Sequence, residues 1–358
     1  MPVGNQNDGI ALLTGQVMVS GSFLGQHISW FHDPVESEPN WRHAGTFTSN
    51  LIEPSLSIGI TNDLNLSLSQ ILGVRSMTFY PEYVGGGEEP DDFSSTHHRD
   101  EDSGSGFRNA NGGLLGDMTV MLKYVLSYAT FGAGGRSFIN AGLSIPSNNY
   151  LTSDPYFRET IDADGDGIIT SEETQHFLDS TSFEDQSHKH FAMSDGLYRF
   201  IFQPSFYYKR EKNPVFFGVM LGYRKPIHAL TKDLGFRGGD IFEAHLTSLL
   251  IPAGNLKEFL PMGTSLSLGL SITGTSESGW DGYITQNSKE LVVIPALGII
   301  YNTKKIGTFN VSLRKPYFIA GIRENADQLN SYDSDFDQGA DELDISLSYR
   351  LPMKFYLW

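Results

Sequence analysis

Three observations predict an all-β fold closed into an antiparallel transmembrane β-barrel of about twelve strands. Large apolar residues alternate with small polar ones over long runs. The connections between those runs are alternately short and long, and the acidic residues crowd into the long ones. The composition agrees. The chain has 358 residues, 39% apolar and 12% aromatic, with 38 glycines, which is too aromatic for a disordered chain. Its 25 Lys and Arg against 42 Asp and Glu leave a net charge of −17, which would repel the phosphates of a nucleic-acid partner. The absence of cysteine excludes disulfides, thiolate metal sites and cysteine nucleophiles. No run of eighteen apolar residues offers a membrane-spanning helix. The start, Met1-Pro2-Val3-Gly4-Asn5, has neither a basic region nor a long apolar run, so an exported chain would carry it after loss of its signal peptide.

The strands are expected near 14–31, 46–61, 64–79, 114–128, 135–147, 194–209, 214–226, 239–251, 264–276, 289–302, 306–321 and 342–357. A strand sends successive side chains to opposite faces, so period-two alternation makes one face greasy and the other small and polar. Leu56, Ile58 and Ile60 alternate with Ser55, Ser57 and Gly59 in the second strand. In the seventh, Phe217, Val219, Leu221 and Tyr223 alternate with Gly218, Met220, Gly222 and Arg224. Leu266, Leu268, Leu270 and Ile272 do so with serines and a glycine in the ninth. Phe309, Val311 and Leu313, then Ile345, Leu347 and Tyr349, continue the pattern in the last two. Strands of a soluble sandwich average about five or six residues; many of these runs are longer.

Connections after even strands are mostly short, such as Asn62-Asp63 and the links 129–134, 210–213 and 303–305, with a longer one between the eighth and ninth strands. Those after odd strands include 81–113, 149–192 and 323–341. Short turns at one end and long loops at the other are the outer-membrane pattern, with the long loops outside and both termini in the periplasm. The segments 81–113, 149–192 and 323–343 hold 25 acidic residues and 5 basic ones, leaving about +3 for the rest of the chain. The acidity belongs to one rim, either as plain solvated loops or as a cation-attracting vestibule. The chain ends Phe355-Tyr356-Leu357-Trp358, and aromatics suit the girdle at the membrane interface. Pro352 is expected to interrupt the ladder of the last strand, which leaves open whether Phe355 or Trp358 faces lipid.

The stretch Gly113-Leu114-Leu115-Gly116-Asp117-Met118-Thr119-Val120-Met121-Leu122-Lys123-Tyr124, followed by Asn140-Ala141-Gly142-Leu143-Ser144-Ile145-Pro146-Ser147, resembles a bacterial family of outer-membrane barrels assigned to the meta-pathway of phenol degradation. The Gly-Asp that opens an alternating strand ending Lys-Tyr carries the resemblance, which covers about 35 residues. The family usually has Gly where this chain has Asn148. The resemblance implies a barrel and, more loosely, a transporter.

The sharpest motif is Asp162-Ala163-Asp164-Gly165-Asp166-Gly167-Ile168-Ile169-Thr170-Ser171-Glu172-Glu173, which matches the twelve-residue EF-hand loop. Asp162, Asp164 and Asp166 supply carboxylates at positions 1, 3 and 5, and Gly167 makes the sharp turn. Ile168 offers its carbonyl, Thr170 stands at position 9 and Glu173 closes the site. Such ligands suit Ca²⁺ better than Mg²⁺. Asp154 and Pro155 read as the cap and first position of a short entering helix, with Phe157 and Ile161 on one face, and Phe177 and Leu178 follow on an exiting one. The expected domain organisation is a single barrel over 1–358 with an extracellular insertion at 149–192 that carries a structural calcium site.

Charges within the strands fall on the small-polar side: Asp117, Lys123, Arg199, Arg224, Glu243, Arg314, Asp344 and Arg350. A charge facing lipid costs a few kcal/mol near the midplane, so these residues are expected to line the lumen, as a salt-bridged plug or as a polar pore. His97 and His98 sit in a flexible acidic loop that rarely makes a closed metal site. A phospholipase would need His-x-Ser-Asn, and the nearest run, His27-Ile28-Ser29, continues to Trp30. No catalytic residue is therefore assigned. The sequence reads as a bacterial outer-membrane channel for a small hydrophobic or aromatic solute, surrounded by outer-membrane lipid. The alternative is a barrel that anchors or displays its outer loops to a surface protein partner.

Overall fold

A computed structural model describes residues 11–32, 40–85, 114–128, 133–150, 192–231, 235–280, 282–284, 288–303, 306–320 and 338–356. The main strands are β1 (Gln16–His32), β2 (Trp41–Gly59), β3 (Leu64–Tyr83), β4 (Leu115–Tyr128), β5 (Gly134–Ile145), β6 (Leu197–Lys209) and β7 (Phe216–Ala229). They continue with β9 (Ile241–Leu250), β10 (Thr264–Thr275), β13 (Glu290–Thr303), β14 (Gly307–Arg314) and β16 (Gln338–Tyr356). Each pairs antiparallel with its neighbour. The β1–β16 and β10–β13 ladders close the ring at twelve strands, so the barrel has no free edge.

The alternation of the sequence becomes the two faces of the wall. Leu221, Leu297 and Leu313 on the outside are 52%, 58% and 50% exposed, whereas Ser49, Ser267 and Ser312 on the opposite face are almost fully buried. Such a continuous apolar exterior is costly in water and stable against hydrocarbon chains. Aromatic pairs stand directly opposite one another in the ladders: Tyr208 with Phe217, Phe309 with Tyr349, and Tyr223 with Phe242. The first two pairs lie by the short turns and the third near the start of β9, where interfacial rings belong.

Several boundaries depart from the sequence reading. β2 starts five residues earlier than expected, at Trp41, and β3 runs four further, to Tyr83. β1–β3 and β16 have 17 to 20 residues, more than the roughly 9–11 that cross a membrane, so they extend past it. The strand expected over 306–321 divides at Lys315–Pro316 into β14 and β15 (Tyr317–Ala320). Pro316 has no ladder N–H, and the Lys315 amide alone bonds across, to the Pro295 carbonyl. A small sheet of β8 (Phe236–Arg237), β11 (Gly279–Trp280) and β12 (Tyr283–Ile284) stands apart from the barrel. It had no alternation to announce it, being two residues per strand. Pro352 does not break the ladder where it sits, because it lies opposite Met18; the register shifts one step later, between Val17–Met353 and Gln16–Tyr356. The side chains of 352–358 lie outside the described residues, and so does the question of Phe355 or Trp358. The longer link between β9 and β10 contains the short helix α1 (Asn255–Phe259).

Candidate functional site: the barrel interior and a weak point in its wall

All eight charged strand residues picked out from the sequence lie on the face opposite the greasy rows. Arg314 and Asp344 are 7% and 0% exposed, with Arg314 Nη2 3.3 Å from Asp344 Oδ2. Both carboxylate oxygens of Asp344 nonetheless lack a well-directed hydrogen bond, as does Arg314 Nε. Arg224 Nε donates to Glu243 at 3.2 Å across the β7–β9 ladder. Arg199 is held by two hydrogen bonds to Asp195, at 2.9 and 2.5 Å, and by a third to the Gly239 carbonyl at 2.8 Å. Lys123 lies over the Phe138 ring at 5.5 Å. Asp117 accepts from Ser144 Oγ and the Ser147 amide, both at 3.4 Å. Arg350 sits in the β16 row that continues from Asp344, opposite Ser20. In a low-dielectric interior, pairing is what makes such charges tolerable.

Further titratable side chains share that face and were missed, among them Glu53, Arg75, His245 and Glu342. Strand parity would have found each. Glu53 stands two residues before Ser55, Arg75 is paired with Ser49, His245 is two from Glu243, and Glu342 two from Asp344. His245 Nδ1 lies 2.9 Å from Ser271 Oγ, and Gln26 donates to Glu342 at 2.9 Å. The interior also has an apolar patch near the short turns. Val125, Phe138 and Tyr207 form a buried cluster with Ala11 and Phe216 against it, Phe138 edge-on to Tyr207 at 5.9 Å and Tyr207 stacked on Phe216 at 5.5 Å.

The wall itself has a weak point. Between Ile52–Leu72 and Ser55–Ser69 the β2–β3 ladder skips two steps, because Pro54 carries no N–H to donate. On the other side of β3 a bulge falls between Gln70 and Leu72, leaving Ile71 without a β4 partner. Gln70 repairs part of the loss with its side chain, donating to the Ile71 and Gly116 carbonyls at 2.9 and 2.7 Å. An open depression of about 310 Å³ lies beside this place. Outward-facing Val19, Pro54, Leu56, Leu68 and Met118 line it together with Ser20, Ser55, Ser69 and Gln70.

With the wall described, comparison with known proteins adds its fold. No family model matches the chain, and no curated protein matches it. Among solved structures it is similar to the COG4313 outer membrane channel from Pseudomonas putida F1, at 13% identity and a TM-score of 0.56 over 98% of this chain and 99% of that one. The chain is an outer-membrane β-barrel. Two other barrels align with lower scores: the TodX monoaromatic hydrocarbon channel (9% identity, 96% and 91% of the two chains, TM-score 0.41) and the NanC porin (9%, 91% and 100%, 0.37). At these identities the likeness is one of fold.

The EF-hand residues Asp162, Asp164, Asp166, Ile168, Thr170 and Glu173 lie outside the described residues, as do His97 and His98. Among the described residues no cluster of three or more His, Asp or Glu is arranged to hold a metal ion.

Proposed function

We propose that this barrel is a non-enzymatic channel for a small hydrophobic or aromatic solute, akin to the phenol-degradation transporter family it resembles in sequence. The apolar depression in the wall carries the reading. Its mostly apolar lining, with Val19, Pro54, Leu56, Leu68 and Met118, suits an uncharged apolar molecule. Asp117, Lys123, Arg199, Arg224, Glu243, Arg314, Asp344 and Arg350 are assigned to the lining of the interior path. The loop 149–192 is assigned a structural Ca²⁺ held by Asp162, Asp164, Asp166, Ile168, Thr170 and Glu173, on the strength of the motif and its spacing.

The test is uptake of naphthalene by vesicles whose outer leaflet is lipopolysaccharide. The barrel should raise the rate several-fold, and obstructing the depression with Leu68→Trp, on its outward-facing lining, should return it to the protein-free rate. Equal rates with and without protein contradict the proposal. A second reading, a barrel that anchors its long loops to a surface partner, draws on the packed ion pairs Arg314–Asp344, Arg224–Glu243 and Arg199–Asp195. It predicts no naphthalene transport by any variant.

A further inference from the structure

We propose that Gln70 makes the depression in the wall a binding site for an apolar solute that carries a hydroxyl group, with the hydroxyl donating to its side-chain oxygen. The inference rests on reading the depression as a solute's seat, and it names the chemistry that the seat prefers. Gln70 lines the depression and stands opposite Met118 in the β3–β4 ladder, in the same lipid-facing row as Leu68. Its amide is fixed in orientation. Nε2 donates to the Ile71 and Gly116 carbonyls at 2.9 and 2.7 Å, which uses both of its hydrogens. Reversing the amide would set oxygen against two oxygens. Oε1 therefore points away from the two carbonyls. No described residue donates to it, and it is not among the enclosed polar atoms of the wall.

Depth gives that oxygen its meaning. Gln70 lies six residues beyond Leu64, where β3 begins at the short turn. That is about 20 Å along a strand and about 15 Å in height at a tilt of about 40°, within an apolar band about 25 Å tall. An acceptor at this level meets hydrocarbon, which has no proton to offer, and an unmatched polar group is costly in such surroundings. A solute with an apolar body suits Val19, Leu56, Leu68 and Met118, and one hydroxyl on that body matches Oε1. An ether brings only a second acceptor and gains nothing. A carboxylate meets the oxygen's like partial charge and leaves its own solvation behind. One oriented polar group in an otherwise apolar lining is how such sites discriminate.

The chain has no cysteine, so a single thiol reports cleanly. Met118→Cys places one in the depression, opposite Gln70. In lipid vesicles its reaction with N-ethylmaleimide, which partitions into membranes, is timed against rising 2-naphthol or 2-methoxynaphthalene. The two share a body and differ in the donor. Counted by concentration within the membrane, 2-naphthol should half-protect the thiol at a level about three- to tenfold lower, the advantage of one net hydrogen bond. Adding Gln70→Met, which keeps the length and removes the acceptor, should bring that ratio to about one. The shift in gel migration on heating verifies folding, and Gln70→Asn, which draws the amide back by one methylene, serves if Gln70→Met does not fold. Equal protection by the two solutes in the parent overturns the proposal, as a lipid chain holding the seat would produce. So does an unchanged ratio in the Gln70 variant, even if both solutes protect less, because Gln70 would then act only on the wall. Uptake of naphthalene and 2-naphthol is measured on the same proteins. If protection discriminates while neither solute is transported, the binding site stands and the channel reading fails. Transport without discrimination fails this inference alone.

Discussion

Asp344 is a fully enclosed charge of the barrel interior. It sits opposite Arg314 in the β14–β16 ladder and has no exposed surface. Breaking a buried ion pair leaves an unpartnered charge and costs about 3–5 kcal/mol, whereas replacing both members with apolar residues is often neutral. Asp344→Leu should therefore lower stability towards urea by about that amount, and Arg314→Met combined with it should restore most of the loss. Equal stability of parent and single variant contradicts the pairing. Gln70 offers a second test. Its amide replaces two missing ladder bonds, each worth about 0.5–1.5 kcal/mol net, so Gln70→Leu should cost roughly 1–3 kcal/mol and speed hydrogen exchange of the surrounding β3–β4 amides. Parity in the sequence already placed Asp344 and Arg314 on one face. It could not show Gln70 bridging two strands, because a bulge is a relation between strands and leaves no period in either one.

At the scale of elements, alternation located every barrel strand, since the membrane demands a greasy outer row from each. It failed where that demand stops. β2 begins at Trp41-Arg42-His43 and β16 at Gln338, in polar stretches beyond the bilayer where the outer row need not be apolar. The break at Pro316 was legible as a proline but not as the end of a strand. The small sheet of β8, β11 and β12 is held by long-range pairing and by the Phe236–Trp280 contact at 5.1 Å, which no local pattern encodes. The long loop between β5 and β6 poses the element-scale prediction. Three aspartates and a glutamate within twelve residues repel one another without metal. The Ca²⁺ affinity should be on the order of 10⁻⁴–10⁻³ M, as for extracellular modules. Limited proteolysis should cut between residues 149 and 192 far faster in chelator, and Glu173→Gln should be cut fast even with Ca²⁺. Equal cleavage in both conditions refutes a calcium lock.

At the scale of the whole molecule, the assignments share one dependency: which face of the wall is inside. A shift of one residue in register exchanges the faces of a strand. The ion pairs would then face lipid. The two faces differ sharply at neighbouring positions, with Leu313 50% and Arg314 6% exposed. The most direct measurement is spin labelling of single cysteines at Leu221, Arg224, Leu313 and Arg314 in lipid bilayers, comparing collision with oxygen, which concentrates in the hydrocarbon, and with a water-soluble nickel complex. Labels from Leu221→Cys and Leu313→Cys should be relaxed strongly by oxygen and weakly by nickel. Those from Arg224→Cys and Arg314→Cys should show little oxygen contact. Strong oxygen relaxation at the two arginine positions with protection at the two leucines would contradict the account.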